Sequence, residues 1–246
     1  MHLPRSGRRM NKTAIAFGTF DGVHRGHQEI INAMLTAAEG RGLDPLIYTF
    51  SNHPAGLFGK SFSMIMTDGE RLAALERFAP VAAERLDRQF AATEPEDFVR
   101  HMAEKYRMGV AIAGFNYTFG SRGAGNMDTL CRLGGKYGFE VYEIPALMYG
   151  GEPVSSTRIR ACIERGDIAG ANAMLGHELE LSCKETSQNG HAVLKVADGL
   201  VLPAPGRYIT EAEGRRLVCG VLPGGSIEPE EPLRGIKKLR FIGRIG

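Results

Sequence analysis

The sequence has no long apolar run and little net charge. No stretch reaches the roughly 18 apolar residues that a helix needs to cross a bilayer, so we expect no transmembrane segment. Its 30 basic and 28 acidic residues leave a formal net charge of +2. Dedicated nucleic-acid-binding proteins usually carry a marked basic excess, and this balance argues against that class. We expect neither a membrane nor a nucleic acid among the partners of the protein.

Cysteine is also scarce, and no two of the 4 cysteines form a C-x-x-C pair. The absence of such a pair argues against zinc-ribbon and thioredoxin-like sites. Widely spaced cysteines in a chain of this size are typical of free thiols in a reducing compartment, which favours a cytoplasmic location. The cysteines expected to be unpaired are Cys131, Cys162, Cys183 and Cys219.

The N-terminal segment is basic but lacks the apolar core and the cleavage site of a secretory signal peptide. We therefore interpret residues 1–12 as a flexible leader, with Met10 as an alternative start, rather than as a targeting signal. Beyond that segment the composition is ordinary for a globular protein, with 43% hydrophobic and 24% charged residues. A chain of 246 residues is long enough for one large domain or two unequal ones.

The pattern along the chain changes near residue 177. Before this point, segments of helical period alternate with short apolar runs at residues 13–18, 46–50, 110–114 and 139–144. This alternation predicts an α/β domain built on a doubly wound parallel sheet over residues 13–177. After this point, short strand candidates are separated by proline and glycine, which predicts a small antiparallel β domain over residues 178–246.

Local capping signals predict where several helices begin. Thr67 and Thr93 are each followed three residues later by glutamate, which is the capping-box pattern, so both are expected to cap helices. The helix after Thr67 is expected to include Phe78. Either Ser155 or Ser156 is expected to cap a later helix, since both hydroxyls precede a segment of helical period.

The strongest functional signal lies at the predicted junction between the first strand and the first helix. Residues 18–27 read Gly-Thr-Phe-Asp-Gly-Val-His-Arg-Gly-His, with Gly26 between His24 and His27. A helix N-terminus presents free N–H groups and the positive end of the helix dipole, which suit a phosphate. The glycine allows close approach, and the imidazoles add hydrogen-bond donors. The alternative is a capped helix with incidental histidines, but the coincidence of these residues favours a phosphate site.

Two further segments carry candidate ligand-binding residues. Residues 154–160 read Val-Ser-Ser-Thr-Arg-Ile-Arg, and hydroxyls at a helix start can donate to an anion. Only one of Arg158 and Arg160 is expected to face that anion, and the simpler alternative is N-capping by one serine. Residues 114–125 follow a predicted strand, and Asn116 is a candidate contact for a base or ribose. The alternative there is a glycine-rich connection with buried aromatic residues.

Neither of the common glycine-rich nucleotide-binding motifs is present. Residues 56–61 are similar to part of a P-loop, but the required first glycine falls on Pro54. No G-x-G-x-x-G follows the first predicted strand. Nucleotide binding would therefore use the histidine-bearing turn, together with the loops that follow Phe50 and Gly114 at the carboxyl ends of their strands.

Together these motifs resemble the HxGH nucleotidylyltransferase superfamily, and within it the adenylyltransferase module of bacterial bifunctional riboflavin kinase/FAD synthetases. The resemblance runs from about residue 13 to residue 176 and includes residues 18–27, 49–54, 114–125 and 154–160. It implies the transfer of AMP from ATP to FMN, with FAD and pyrophosphate as products. It also implies Mg²⁺ carried by the ATP.

The resemblance implies roles for particular residues. The catalytic residues would be His24, His27 and Arg160. The nucleotide would contact Gly18, Thr19, Phe20, Asp21, Gly26, Asn116, Ser155, Ser156 and Thr157. The flavin would lie near His53, Pro54 and Phe58. No metal ligand is expected from the protein itself.

The sequence departs from the family at two places. Ser51-Asn52 stands where the family usually has Asp-Pro, and the Pro-Thr-Ala-Asn of the riboflavin kinase barrel is absent. We therefore interpret residues 178–246 as a shortened remnant of that barrel and expect an FAD synthetase without riboflavin kinase activity. Two alternatives stay open: a cytidylyltransferase acting on a small phospho-alcohol, and a non-catalytic protein that binds a flavin or a nucleotide.

Overall fold

The computed structural model describes residues 11–53, 63–188, 191–231 and 235–246. Internal contacts divide the chain into two units of three segments each. Unit 1 comprises Met1–Gly18, Ile30–Thr49 and Phe78–Pro145, and unit 2 comprises Thr19–Glu29, Phe50–Arg77 and Ala146–Gly246. The sequence predicts a leader and two domains, with boundaries after residues 12 and 177. These boundaries stay predictions.

A five-stranded sheet is the centre of unit 1. Its strands are β1 (Thr13–Phe17), β2 (Asp44–Phe50), β3 (Val81–Glu84), β4 (Met108–Gly114) and β5 (Glu140–Ile144). They lie in the order β3-β2-β1-β4-β5, and β1 pairs in parallel with both β2 and β4. All residues of β1 are buried, as expected of a central parallel strand. The predicted parallel sheet is confirmed, and its order reverses between β1 and β4, where ligands bind in such sheets.

Seven α-helices are assigned in the described residues. They are α1 (Arg25–Arg41), α2 (Asp68–Glu76), α3 (Arg88–Ala91), α4 (Pro95–Lys105), α5 (Met127–Tyr137), α6 (Ser156–Glu164) and α7 (Ile168–Leu175). In unit 1, α4 and α5 bury apolar residues in one core with the sheet, including Phe17, Tyr48, Phe98, Met102 and Leu130. Because α2 ends at Glu76, Phe78 lies outside this helix and is exposed, contrary to the prediction.

Of the two caps predicted from the capping-box pattern, one is confirmed and the other is wrong. Thr67 caps α2 with a full capping box, in which its hydroxyl accepts from the N–H of Glu70 and the Glu70 side chain accepts from the N–H of Thr67. The predicted cap at Thr93 is wrong, since Glu94 occupies the cap position of α4 and makes no side-chain capping bond. The reason is Pro95, whose fixed φ and missing N–H suit the first helical position.

A closed barrel of six strands occupies the C-terminal part of unit 2. Its strands are β8 (Leu179–Gln188), β9 (His191–Val196), β10 (Gly206–Ala212), β11 (Arg215–Val221), β12 (Ser226–Pro229) and β13 (Lys238–Arg244). They lie in the order β10-β11-β12-β9-β8-β13, and closure leaves no unpaired sheet edge. A short hairpin, β6 (Met148–Tyr149) and β7 (Glu152–Pro153), precedes α6. The predicted small antiparallel β domain is confirmed.

Helices α6 and α7 share one apolar core with this barrel. The buried residues of this core include Ile159, Ile163, Leu175, Leu181, Tyr208 and Phe241. The four cysteines are free, as predicted, with Cys131 exposed and the other three buried. Among the helices that the structure describes, none is long and apolar enough to cross a membrane.

Candidate active site

The turn between β1 and α1 is strained and closely packed. Phe20 and Val23 have positive φ angles of 56° and 41°. This conformation is uncommon outside glycine and is rarest for β-branched residues. Gly22 has a φ of 80°, and a Cβ atom there would lie 2.9 Å from Cδ1 of Ile65 and 3.2 Å from Cδ2 of Leu175. Strain of this kind clusters at functional sites, where the surrounding structure maintains it.

Two stacked imidazoles mark the start of α1. The ring centroids of His24 and His27 are 3.5 Å apart, with 16° between the ring planes. The backbone N–H of His27 donates to Nδ1 of His24 at 3.3 Å, so the neutral His24 ring carries its proton on Nε2. Nδ1 of His27 is buried and has no hydrogen-bond partner among the described residues. Such an unsatisfied group is rare in a folded protein and is typical of a functional site.

Both histidines are held in the neutral form. Burial is the main cause that lowers the pKa of His24 to about 4, and the positive charge of Arg160 lowers it further. Burial also brings the pKa of His27 well below its ordinary value, with smaller contributions from His24 and Arg71. Two imidazolium rings at stacking distance would repel each other strongly. At about pH 7 the pair therefore supplies neutral N–H donors and acceptors.

The lowered pKa of His24 predicts how stability depends on pH. As the pH falls, the unfolded chain binds a proton near the ordinary pKa of 6.5, whereas folded His24 binds one only at about 4. The free energy of unfolding should therefore fall with the pH across this window. His24→Gln keeps a side-chain donor and acceptor but cannot titrate. Between about pH 7 and 4.5, the free energy of unfolding of this variant should therefore fall by roughly 2–3 kcal/mol less than that of wild type. Urea unfolding at both pH values measures the difference.

The matched control for this experiment is His101→Gln. His101 lies on α4 with its side chain 53% exposed, so this variant reports the effect of a histidine-to-glutamine change at an exposed position. A His24→Gln protein that loses as much stability as wild type would contradict the assignment of the lowered pKa to His24.

Asp21 connects three segments of unit 2. Its carboxylate accepts from the N–H of Ile65 at 3.0 Å and pairs with Nη1 of Arg160 at 2.8 Å. Its backbone carbonyl accepts from the hydroxyl of Ser156 at 2.9 Å. Burial raises the pKa of Asp21, and the backbone donor and Arg160 oppose that rise. The carboxylate therefore ties the histidine turn to the segment before α2 and to the start of α6.

The two arginines of α6 differ in their contacts. Arg160 is 14% exposed at its side chain and bonds both Asp21 and the hydroxyl of Thr157, the latter at 3.1 Å. Arg158 instead donates to the carbonyls of Tyr149 and Glu152, at 2.6 and 2.9 Å, in the β6–β7 hairpin. Arg160 is thus the arginine joined to the histidine turn, while Arg158 holds the hairpin.

The three hydroxyls at the start of α6 each have a role within the protein. Ser155 is the N-cap and accepts from the N–H of Arg158 at 3.3 Å, which decides between the two predicted caps. Ser156 donates to Asp21, and Thr157 accepts from Arg160. The hydroxyls therefore hold the site together.

The sequence model of the family described as FAD synthetase matches residues 7–158, which is more than half of the chain. The chain belongs to the FAD synthetase family. A bifunctional riboflavin kinase/FMN adenylyltransferase of Bacillus subtilis (strain 168) is 31% identical over 171 residues, which cover 67% of this chain and 54% of that protein. The chain thus spans about half the length of the bifunctional relatives it matches.

A second relative in the FAD synthetase family has a more similar length. It is an FAD synthetase of Listeria monocytogenes, 29% identical over 203 residues, which cover 80% of each chain. Among solved structures, one described as a macrolide-efflux protein from Streptococcus pneumoniae superposes with a TM-score of 0.82 at 24% identity. This superposition covers 95% of this chain and 85% of that one. At this identity it shows the fold alone.

The structure brings together most of the predicted site residues in unit 2. Those joined by direct contacts around the histidine turn are Phe20, Asp21, His24, His27, Ser156, Thr157 and Arg160. Ser155 contacts the N–H of Arg158 within α6. Gly18 and Asn116 belong to unit 1, and their predicted nucleotide contacts stay predictions. Pro54 and Phe58, predicted to lie near a flavin, are outside the described residues.

The roles predicted for Gly26 and His53 also stay predictions. A Cβ atom at Gly26 would lie 3.3 Å from two atoms of the His24 ring, so glycine there allows the imidazole to approach the helix start. His53 is partly buried, and burial is the main cause that lowers its pKa, while the charge of Asp21 opposes this.

Two residues near the histidine turn were missed by the sequence analysis. Arg71 is 2% exposed and donates to the carbonyls of Thr19 and Phe50. Nε2 of His177 lies 3.1 Å from the carbonyl oxygen of Gly22. Neither residue is part of a recognisable motif. The only local signal for Arg71 is its position directly after the glutamate of the capping box.

Proposed function

We propose that this chain is an FMN adenylyltransferase, which transfers AMP from ATP to FMN and releases pyrophosphate. The observation that carries the proposal is the Asp21–Arg160 pair, which joins the histidine turn to the start of α6 in a member of the FAD synthetase family. The names of the Bacillus subtilis and Listeria monocytogenes relatives support the choice of substrates.

In this reaction FMN supplies the nucleophile. Its phosphate monoester is largely dianionic at about pH 7, because its second pKa is ~6. One of its oxygens forms a bond to the α-phosphorus of ATP, and the bond from that phosphorus to the bridging oxygen breaks. Pyrophosphate leaves with the electron pair. No proton has to be removed, which agrees with histidines whose low pKa values make them weak bases.

The catalytic task is to bring two anions together and to stabilise the charge on the α-phosphoryl group. In the proposal, His24 and His27 donate from the start of α1 together with backbone N–H groups near Gly26. Arg160 adds a planar guanidinium that can contact two phosphate oxygens. The remaining nucleotide and flavin contacts are those predicted from the sequence.

Mg²⁺ enters this proposal as part of the substrate Mg-ATP, where it would screen the β- and γ-phosphates and help pyrophosphate to leave. The described residues contain no group of three or more histidine, cysteine, aspartate or glutamate side chains placed to hold a metal ion.

The protein is expected to make FAD from FMN but not to phosphorylate riboflavin. The chain lacks the Pro-Thr-Ala-Asn that the riboflavin kinase barrel of the family carries. A kinase needs a loop that cradles the phosphates, a metal-ligating group and a residue that orients the nucleophile. Incubation with Mg-ATP and either FMN or riboflavin, followed by chromatography, should give FAD in the first reaction and no phosphorylated flavin in the second.

The outcomes of this assay, and of a second assay with CTP and a phospho-alcohol, distinguish the alternatives. Failure to form FAD from FMN contradicts the proposed function, and phosphorylation of riboflavin contradicts the absence of kinase activity. Turnover of CTP with a phospho-alcohol would identify a cytidylyltransferase instead. Flavin or nucleotide binding without turnover of either triphosphate would identify a non-catalytic binding protein.

Two further assignments belong to this proposal. Residues 13–177 would form the adenylyltransferase domain, and residues 178–246 a barrel derived from riboflavin kinase without its activity. The free cysteines support a cytoplasmic location, because they are typical of a reducing compartment.

A further inference from the structure

Arg71 is a buried cation in the first turn of α2 that the proposed reaction does not use. Arg71 is 2% exposed, and its guanidinium pairs with the carboxylate of Asp68 at 2.8 Å. Burial of a guanidinium is unfavourable unless an ion pair and hydrogen bonds compensate for the lost hydration. Its other hydrogen bonds show which parts of the chain it holds.

These bonds join two segments that follow neighbouring strands. Nη1 of Arg71 donates to the carbonyl of Thr19 at 3.0 Å, and Nη2 donates to the carbonyl of Phe50 at 2.7 Å. Thr19 belongs to the histidine turn after β1, and Phe50 ends β2 shortly before His53. One planar side chain therefore sets the spacing between the turn proposed to hold the nucleotide and the segment proposed to lie near the flavin.

Glu70, the residue before Arg71, attaches the same helix to the barrel. One carboxylate oxygen accepts from the N–H and hydroxyl of Thr67, at 3.1 and 2.6 Å. The other accepts from the hydroxyl of Ser182 on β8 at 2.6 Å and lies 3.2 Å from Nζ of Lys238 on β13. Burial raises the pKa of Glu70, but the bonds from Ser182 and Thr67 outweigh it and keep the carboxylate ionised.

The backbone makes a second connection to the barrel. Met64 donates its N–H to the carbonyl of Gly199 at 2.7 Å and accepts from the N–H of Val201 at 2.8 Å. Both partners lie in the connection between β9 and β10. The next residue, Ile65, donates its N–H to the carboxylate of Asp21. The barrel therefore holds the segment from Met64 to Arg71 at both of its ends.

We propose that Arg71 is a positioning residue for adenylyl transfer and that the barrel keeps it in place through Glu70. This inference rests on the proposed function. Arg71 does not touch the reacting atoms, and it acts through the carbonyls of Thr19 and Phe50. The barrel thereby has a role in adenylyl transfer that is independent of any kinase chemistry.

The first test compares Arg71→Lys with Arg100→Lys. Both arginines pair with an aspartate three residues earlier, but the side chain of Arg100 is 52% exposed. A lysine at position 71 keeps the charge but cannot bond both carbonyls in the same plane. We expect kcat for FAD formation to fall roughly 10- to 100-fold with little change in KM, and Arg100→Lys to behave like wild type. Unchanged kcat in folded Arg71→Lys would overturn the proposal.

The second test uses the charge of Arg71, which contributes to the lowered pKa of His27. Arg71→Met removes that charge, so the pKa of His27 should rise, whereas Arg71→Lys should leave it in place. NMR titration of the imidazole signals measures this shift without substrates, and so without the FMN phosphate, which itself titrates at about pH 6. An unchanged titration in Arg71→Met would show that the charge of Arg71 does not act on His27; if this variant does not fold, the kcat of Arg71→Lys decides.

The connection through Glu70 is tested from the barrel side. A Ser182→Ala, Lys238→Gln double variant removes both barrel contacts to Glu70 and should lower kcat several-fold. The matched control is Lys195→Gln on β9, because Lys195 is an exposed lysine whose partner is Asp198. Equal kcat values in the double variant and the control would overturn the role of the barrel. If wild type itself forms no FAD, the proposed function fails, while the NMR titration still tests the position and charge of Arg71.

Discussion

Replacement of His27 by alanine is expected to lower kcat for FAD formation about 10²- to 10³-fold while the protein stays folded. The imidazole lies at the start of α1, stacked on His24 and edge-on to Phe20, where the α-phosphoryl group is proposed to bind. Its donated hydrogen bond would strengthen as charge develops in the transition state, so kcat should fall more than the affinity for ATP. Steady-state kinetics with varied Mg-ATP and FMN separate the two.

The fold should tolerate this change because Nδ1 of His27 makes no hydrogen bond to the described residues. Removal of the ring therefore breaks no such bond at Nδ1, and it removes the ring contacts with His24 and Phe20. His101→Ala, at an exposed position on α4, is the matched control and should retain wild-type kcat. A folded His27→Ala protein with near-normal kcat would show that His27 is not catalytic.

Replacement of Arg160 by lysine is expected to lower kcat about 100-fold. The guanidinium bonds Asp21 and Thr157 through different nitrogens. An ammonium group cannot reproduce this planar arrangement. Arg158→Lys is the control on the same helix and should be nearly silent, since Arg158 contacts the β6–β7 hairpin. If Arg158→Lys is harmful and Arg160→Lys is silent, the roles of the two arginines are reversed.

A neutral side chain at position 160 should affect stability as well. Arg160→Met leaves the carboxylate of Asp21 buried without its cation, since Asp21 is 2% exposed. The loss of a partner from a buried pair typically costs about 3–5 kcal/mol, and the pKa of Asp21 would rise further. Urea unfolding should therefore show a large loss of stability for Arg160→Met and a much smaller one for Arg160→Lys.

Much of the fold could be predicted from local sequence. The strands of the parallel sheet and the cap of α2 depend on runs of a few residues, and the sequence shows these directly. The errors also arose locally. Thr93 matches the capping pattern, but Pro95 shifts the cap of α4 to Glu94. The short strand β3 was not predicted, because four partly exposed residues carry little periodicity.

The closure of the barrel could not be predicted in the same way. The sequence shows short strands broken by proline and glycine, which predicts an antiparallel unit without its strand order. Closure depends on pairs far apart in the chain, such as β13 with β8 and β12 with β9. The connection from Met64 to Val201 is equally remote, and no local pattern indicates it.

The sequence by itself determined the histidine motif, the candidate arginines and the resemblance to the FAD synthetases, because these depend on residue types at fixed spacing. The tertiary structure alone decided which arginine joins the turn, since Arg160 meets Asp21 across 139 positions of sequence. It also decided that His24 and His27 are neutral, because burial sets their pKa values. It revealed the bonds of Arg71 for the same reason: a buried cation is explained only by the distant groups that surround it.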